Sequence, residues 1–213
     1  MSGSVPCTAC GQLLTFKALF PAKQVCPSCR TLVYRGISGV SGAKAVPPVP
    51  EDMTPLQTGT RGQYQGQAFE LIGRIRYASE NGYQNWWAML MPDGTCAWLT
   101  EAHGDYAVLT KSPLKIAPHK LTGSSPGKEI QFETGFTFII NGLDKKTGLH
   151  LEGELPANSG EHTGFISVEL GNLKHQLAVV NVYAMDRIIV YTGRYVPFHT
   201  FQFQQLRDLH EWI

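Results

Sequence analysis

Two short cysteine pairs constrain this chain more than any other feature. The first is Cys-Thr-Ala-Cys at Cys7 and Cys10, the second Cys-Pro-Ser-Cys at Cys26 and Cys29, with fifteen residues between them. This is the spacing of paired zinc knuckles, in which two residues between thiols let a tight turn aim both sulfurs at one ion. Two such turns complete a tetrahedron with sulfur about 2.3 Å from the metal. Gly11 follows the first pair, where freedom to take positive φ is useful. "QLLTF" and "KQVC" read as two strands around Phe20-Pro21-Ala22, the hairpin of a zinc ribbon. A redox role asks instead for one such pair beside a βαβ pattern, which the sequence does not show. Four protein ligands (Cys7, Cys10, Cys26 and Cys29) leave no open position, so the zinc reads as structural rather than catalytic. A unit this small folds on its metal, worth roughly 10–16 kcal/mol in finger-like peptides.

The fifth cysteine, Cys96 in "DGTCAWLTE", reads as a small buried residue of a strand. No base lies nearby in sequence to activate it as a nucleophile. Charge is distributed unevenly. Residues 1–50 carry Lys17, Lys23, Arg30, Arg35 and Lys44 and no acid, whereas the rest holds 13 basic and 17 acidic residues. A basic head of +5 therefore precedes a body of −4. Four thiolates and one divalent ion together contribute about −2 to the head. No apolar run reaches the ~18 residues of a membrane span. The start "MSGSVPCTAC" has neither the basic residues nor the apolar stretch of a secretory signal, so a cytoplasmic setting with reduced thiols is expected.

The chain divides into a ribbon over 1–35, a Gly/Pro-rich linker over 36–55, a first β unit over 56–122 and a second over 123–213. The linker reads as a tether, or as an arm packed through Val40, Val46 and Val49. In "FELIGRIRY" the apolar residues alternate with Glu70, Arg74 and Arg76, the pattern of a half-buried strand. "NWWAMLM" is apolar on both faces and should be central and covered twice. "PDG" at Pro92–Gly94 is a tight turn, after which "TCAWLTE" returns antiparallel. "FETGFTFII", "TGLHLEGEL", "GFISVEL", "HQLAVVNVY" and "RIIVYTGRYV" continue the pattern. "FELIGRI" set beside "LHLEGEL", and "WWAMLMPDGTCAWL" beside "GFISVELGNLKHQL", suggest a degenerate tandem repeat of a small barrel-like β unit. The fold class expected is mainly β: a zinc ribbon, two small antiparallel units and a C-terminal amphipathic helix. That helix is read from Phe198, Phe201, Leu206, Leu209, Trp212 and Ile213, which share one helical face.

These phrases, in this order, resemble the bacterial Domain of Unknown Function 4178 family. The resemblance rests on the ribbon, "GTRGQYQGQAFELIGRI", "NWWAMLMPDGTCAWLTEAHGDY", "EGELP" and "YTGRYV", and covers most of the chain. It implies a mostly β bacterial protein and no established activity. Asn85 stands where similar proteins often carry Glu.

The leading functional expectation is a non-enzymatic interaction or adaptor module for a protein partner, a membrane-associated one included. Trp86, Trp87 and Trp98 are its candidate recognition residues, set against a core role for the same side chains. The first alternative is nucleic-acid binding through Lys17, Lys23, Arg30 and Arg35 of the ribbon. The second is an enzyme whose site is assembled from distant strands; the sequence shows no nucleotide-binding loop, no H-E-x-x-H and no G-x-S-x-G. Glu101, His103 and Asp105 flank a glycine turn and read as solvated.

Overall fold

The computed structural model describes residues 4–36, 39–121, 123–160, 162–183 and 187–208. Each cysteine pair forms the tip of its own hairpin. β1 (Ser4–Pro6) pairs with β2 (Leu13–Thr15), and β3 (Ala22–Val25) pairs with β4 (Thr31–Gly36). The expected hairpin between "QLLTF" and "KQVC" does not form. A turn that aims two thiols at one point also reverses the chain, so each knuckle ladders its own flanks.

The stretch read as a linker is ordered along the body. Its first half is β5 (Gly39–Ala45), which pairs with β4. Its second half is an extended arm strapped down by side chains. Val46 packs against the core, whereas Val40 is exposed. The carbonyls of Pro47 and Pro50 accept hydrogen bonds from Arg30 and Arg76, and that of Pro48 lies 2.9 Å from His150 Nδ1. Asp52 meets Arg74 at 2.5 Å, Arg76 at 3.0 Å and Arg207 at 3.1 Å. Arg74 and Arg76, expected on a solvated strand face, are thus buried beneath the arm. Carboxylate and carbonyl partners are what make such burial tolerable.

The body strands are β6 (Arg61–Tyr64), β7 (Gln67–Ser79), β8 (Gly82–Leu90), β9 (Cys96–Ala102), β10 (Asp105–Lys111), β11 (Glu129–Gln131), β12 (Thr137–Lys146), β13 (Gly148–Pro156), β14 (Phe165–Gly171), β15 (Leu177–Val182) and β16 (Ile188–Tyr195). One antiparallel sheet runs in the order β11-β12-β14-β15-β16-β10-β9-β8-β7-β13-β3-β4-β5, with β6 also on β7. It curls so that β12 and β13 are consecutive in the chain through Thr147 alone, yet they share no ladder and the sheet stays open. The tandem-repeat alignment fails on strand order. β7 pairs with β8, but its supposed counterpart β13 pairs with β7 and β3, and β14 pairs with β12. β13 is diverted because it splices the ribbon into the body.

That splice depends on two glycines. β13 pairs with β7 through Gly148–Gly153 and with β3 through Glu154–Pro156. A Cβ on Gly73 would lie 2.2 Å from the Glu154 carbonyl, and one on Gly153, whose φ is +66°, would lie 2.4 Å from the Ile72 carbonyl. Backbones cross here too closely for any side chain.

β8 is apolar on both faces, as its sequence indicates. Trp86 and Ala88 join a core with Trp98, Leu151 and the ribbon residues Phe16 and Val25. Trp87 and Met89 join a second core with Leu71, Leu99 and Phe201 on the opposite face. A third core holds Ile130, Phe138, Val168, Val180 and Val190. Each fully buried Leu or Met in these layers is worth roughly 1.5–3 kcal/mol. The "PDG" turn forms as read: Gly94 takes φ +82°, and the Asp93 carboxylate accepts from the Thr95 N–H at 2.9 Å.

The C-terminal amphipathic helix is not present over the described part of the tail. A 3-10 turn spans Phe198–Phe201, after which Gln202 and Gln205 take positive φ and Gln204 pairs with Arg61. Phe201 and Phe203 are drawn instead onto Phe69, each ring edge-on to it. Tertiary packing overrides the helical pattern. Leu209, Trp212 and Ile213 lie outside the described residues.

Candidate metal centre

The two knuckles have matching backbone frames. In the first, the Cys7 N–H donates to the Gln12 carbonyl at 2.8 Å and the Gly11 N–H to the Cys7 carbonyl at 2.9 Å. In the second, Cys26 N–H donates to Thr31 and Arg30 N–H to Cys26, both at 2.9 Å. Gly11 and Arg30 hold equivalent positions, with φ of +77° and +61°. Arg30 adopts this left-handed conformation without glycine's freedom, at a cost of about 1–2 kcal/mol. Its guanidinium offsets that cost by donating to the carbonyls of Val46 at 2.9 Å, Pro47 at 2.6 Å and Leu151 at 3.1 Å.

The frames bring four sulfurs together. Cys7 Sγ and Cys29 Sγ are 3.6 Å apart, Cys10 Sγ and Cys26 Sγ are 3.7 Å apart, and all four lie within 4.8 Å of one another. A tetrahedron with metal–sulfur bonds of about 2.3 Å has edges of about 3.8 Å, so the spacing fits one ion. It is far from the roughly 2.05 Å of a disulfide. The thiols are unequal. The Thr31 hydroxyl and backbone N–H hold Cys29 down at about 6. Cys10 receives a backbone hydrogen bond at Gln12 that favours its thiolate, yet neighbouring Cys29 and burial push it up to about 11. Thiolates this close repel one another, and a cation at their centre removes the conflict.

The centre is locked to the body by more than β3 and β13. The Glu154 carboxylate accepts from the Lys17 N–H at 2.7 Å and the Ala18 N–H at 2.9 Å, satisfying the loop between the hairpins. Burial raises the Glu154 pKa, against the pull of those N–H groups and Arg35.

The four basic residues expected as nucleic-acid contacts are engaged within the protein. Lys23 is fully buried, with its ammonium on the Ser159 carbonyl. Arg30 is tied to the arm as described. Arg35 donates to the carbonyls of Ala18 and Phe20 and lies 4.6 Å over the Phe16 ring. Lys17 pairs with Glu70. Trp86, Trp87 and Trp98 are 3%, 0% and 6% exposed and belong to the cores, so they offer no recognition surface. Cys96 is pushed up to about 12 by burial and by Glu154, which makes its thiol inert.

One buried acid was misread from sequence. His103 and Asp105 are exposed, but Glu101 is buried. Its carboxylate accepts from Thr54 at 2.8 Å, Asn85 at 3.0 Å, Trp87 at 3.1 Å and Tyr106 at 3.2 Å. Its signal was strand parity: Glu101 lies directly across from Asn85 on β8, whose side chains face the tryptophan layer. Asn85, the position noted in the family resemblance, therefore serves this polar cluster.

No protein-family model, curated protein or solved structure matches the chain.

Proposed function

We propose that this protein is a non-enzymatic binding module in which the four cysteines hold one structural zinc ion. The observation that carries the reading is the direction of the ribbon's charges: Lys23, Arg30 and Arg35 point into the protein and knit the ribbon to the arm and body. The ribbon thus acts as a staple for the sheet, and recognition falls to the body. Four thiolates at tetrahedral spacing suit zinc, and a site closed by four protein ligands supports folding rather than chemistry. The family resemblance to Domain of Unknown Function 4178 stands beside this reading as a proposal resting on the phrases quoted above.

Cobalt substitution tests it. The protein refolded with Co(II) should show the visible bands of a tetrahedral thiolate site, unchanged by any added ligand. Native zinc content should be one ion per chain. A cobalt spectrum that shifts when a ligand is added would reveal an open position and overturn the structural assignment.

A further inference from the structure

Between the second and third cores lies an open groove of about 1140 Å³. Its floor follows from strand parity. Along β16 and the residue that follows it, Val190 belongs to the third core and Val196 to the second, while Thr192 and Arg194 lie between them at the same parity. Register sets Thr192 opposite Thr110 and Arg194 opposite Val108 on β10. Polar residues thus interrupt an otherwise apolar face between the two cores.

The groove is cationic although the body as a whole is acidic. Lys111, Lys174, His175 and Arg194 line it, and among the described residues no Asp or Glu does. All four are exposed. No hydrogen bond or ion pair among the described residues engages the Lys111, Lys174 or Arg194 side chains. This is the reverse of the ribbon. Aromatic rings stand beside these charges. Phe136, at the turn between β11 and β12, is 52% exposed. Tyr64 rests one ring face on Phe201 at 6.3 Å, and Arg194 lies close enough to act on its phenol. At the rim, Glu169 accepts a hydrogen bond from the Tyr195 hydroxyl at 2.7 Å.

We propose that this groove binds single-stranded nucleic acid, with phosphates on Lys111, Lys174 and Arg194 and a base stacked on Phe136. An exposed ring with cations and no acid suits a strand whose bases are unpaired, since each base presents a face for stacking while its phosphates meet the lysines and arginine. A duplex hides its base faces and would use the charges alone. The inference rests on the binding-module reading and assigns its ligand class.

The test is fluorescence anisotropy of labelled dT and rU 12-mers with the full zinc-loaded chain at several salt concentrations. Binding should fall with salt with a logarithmic slope of about −2, from roughly 0.7 per neutralised phosphate on a single strand. The pair Lys111→Ala/Arg194→Ala should shallow that slope by about 1.4. Phe136→Ala should lower affinity roughly 5- to 150-fold and leave the slope unchanged. Lys17→Ala, on the ribbon, should change neither. Absence of binding at low salt would overturn the proposal. So would binding that a duplex or polyglutamate matches and Phe136→Ala leaves intact, because that is charge alone. Full displacement by an equal concentration of mononucleotide would also overturn it, in favour of a nucleotide pocket. The cobalt spectrum is independent of these outcomes, so a failed groove leaves the structural-zinc reading testable by itself.

Discussion

The molecule carries two basic regions that differ in what holds their charges. In the ribbon, Lys23, Arg30 and Arg35 meet backbone carbonyls inside the protein. In the groove, Lys111, Lys174 and Arg194 are exposed. The ribbon looks the more basic in sequence, because residues 1–50 hold five cations and no acid. Charge density along a chain therefore says little about which charges a ligand can reach. A cation fixed by intramolecular partners contributes to stability, and a free one contributes to recognition.

Substitutions that separate those two roles sharpen the comparison. The largest effect is expected at the metal. On the proposed zinc assignment, Cys26→Ser should reduce the metal from one ion per chain to near zero, measured by elemental analysis, since structural zinc carries roughly 10–16 kcal/mol of folding energy in small units. Retention of one zinc would break the ligand set.

Next comes the carboxylate that seats the loop. Glu154→Ala should cost about 2–4 kcal/mol in urea unfolding, because it strands two N–H groups in a partly buried site. Glu154 also makes a pH prediction. Burial raises its folded pKa above that of an ordinary glutamate, so the native state holds this proton more tightly than the unfolded chain. Its contribution is most favourable below the unfolded pKa and declines as pH rises through the folded one. The stability of the wild type relative to Glu154→Gln should therefore fall from pH 4 upward, in paired urea titrations. A rising difference would contradict the burial argument.

Arg30→Gly sets two effects against each other. Glycine relieves about 1–2 kcal/mol of left-handed strain. It also removes three charge-assisted hydrogen bonds, each worth about 1.5–3 kcal/mol before allowance for exposure. The loss should win, with a net destabilisation of about 1–3 kcal/mol by urea unfolding. A stabilised variant would show that the arm contacts are idle. The smallest effect is expected in the groove. Lys111→Ala and Arg194→Ala should each change stability by no more than about 0.5 kcal/mol, as for surface residues without partners. A loss near that of Arg30→Gly would mean that groove cations are structural too, and the comparison would fail.

The features legible in sequence were local ones. The clustering of the four cysteines followed from Cys-x-x-Cys spacing, the "PDG" turn from its residue types, and the central place of β8 from apolar residues on both faces. What escaped was set by distant partners. β13 looks like the first strand of a second meander, but the glycine crossing at Gly73 and Gly153 diverts it to the ribbon. Arg74 and Arg76 alternate as if solvated because the arm that covers them is 22 or more residues away in sequence. The tail has helical spacing, yet Phe201 and Phe203 pack on Phe69. The groove was invisible because Tyr64, Lys111, Phe136, Lys174 and Arg194 come from five separate segments that only the sheet order brings together.

Hydrogen exchange of the full chain before and after metal chelation would show whether the proposed zinc holds the ribbon in the sheet. Removing the metal should release the amides of residues 7–31 and of Glu154 and Leu155 on β13, while β8 and β9 keep their protection. A ribbon equally protected without metal would contradict the claim that zinc holds it in the sheet.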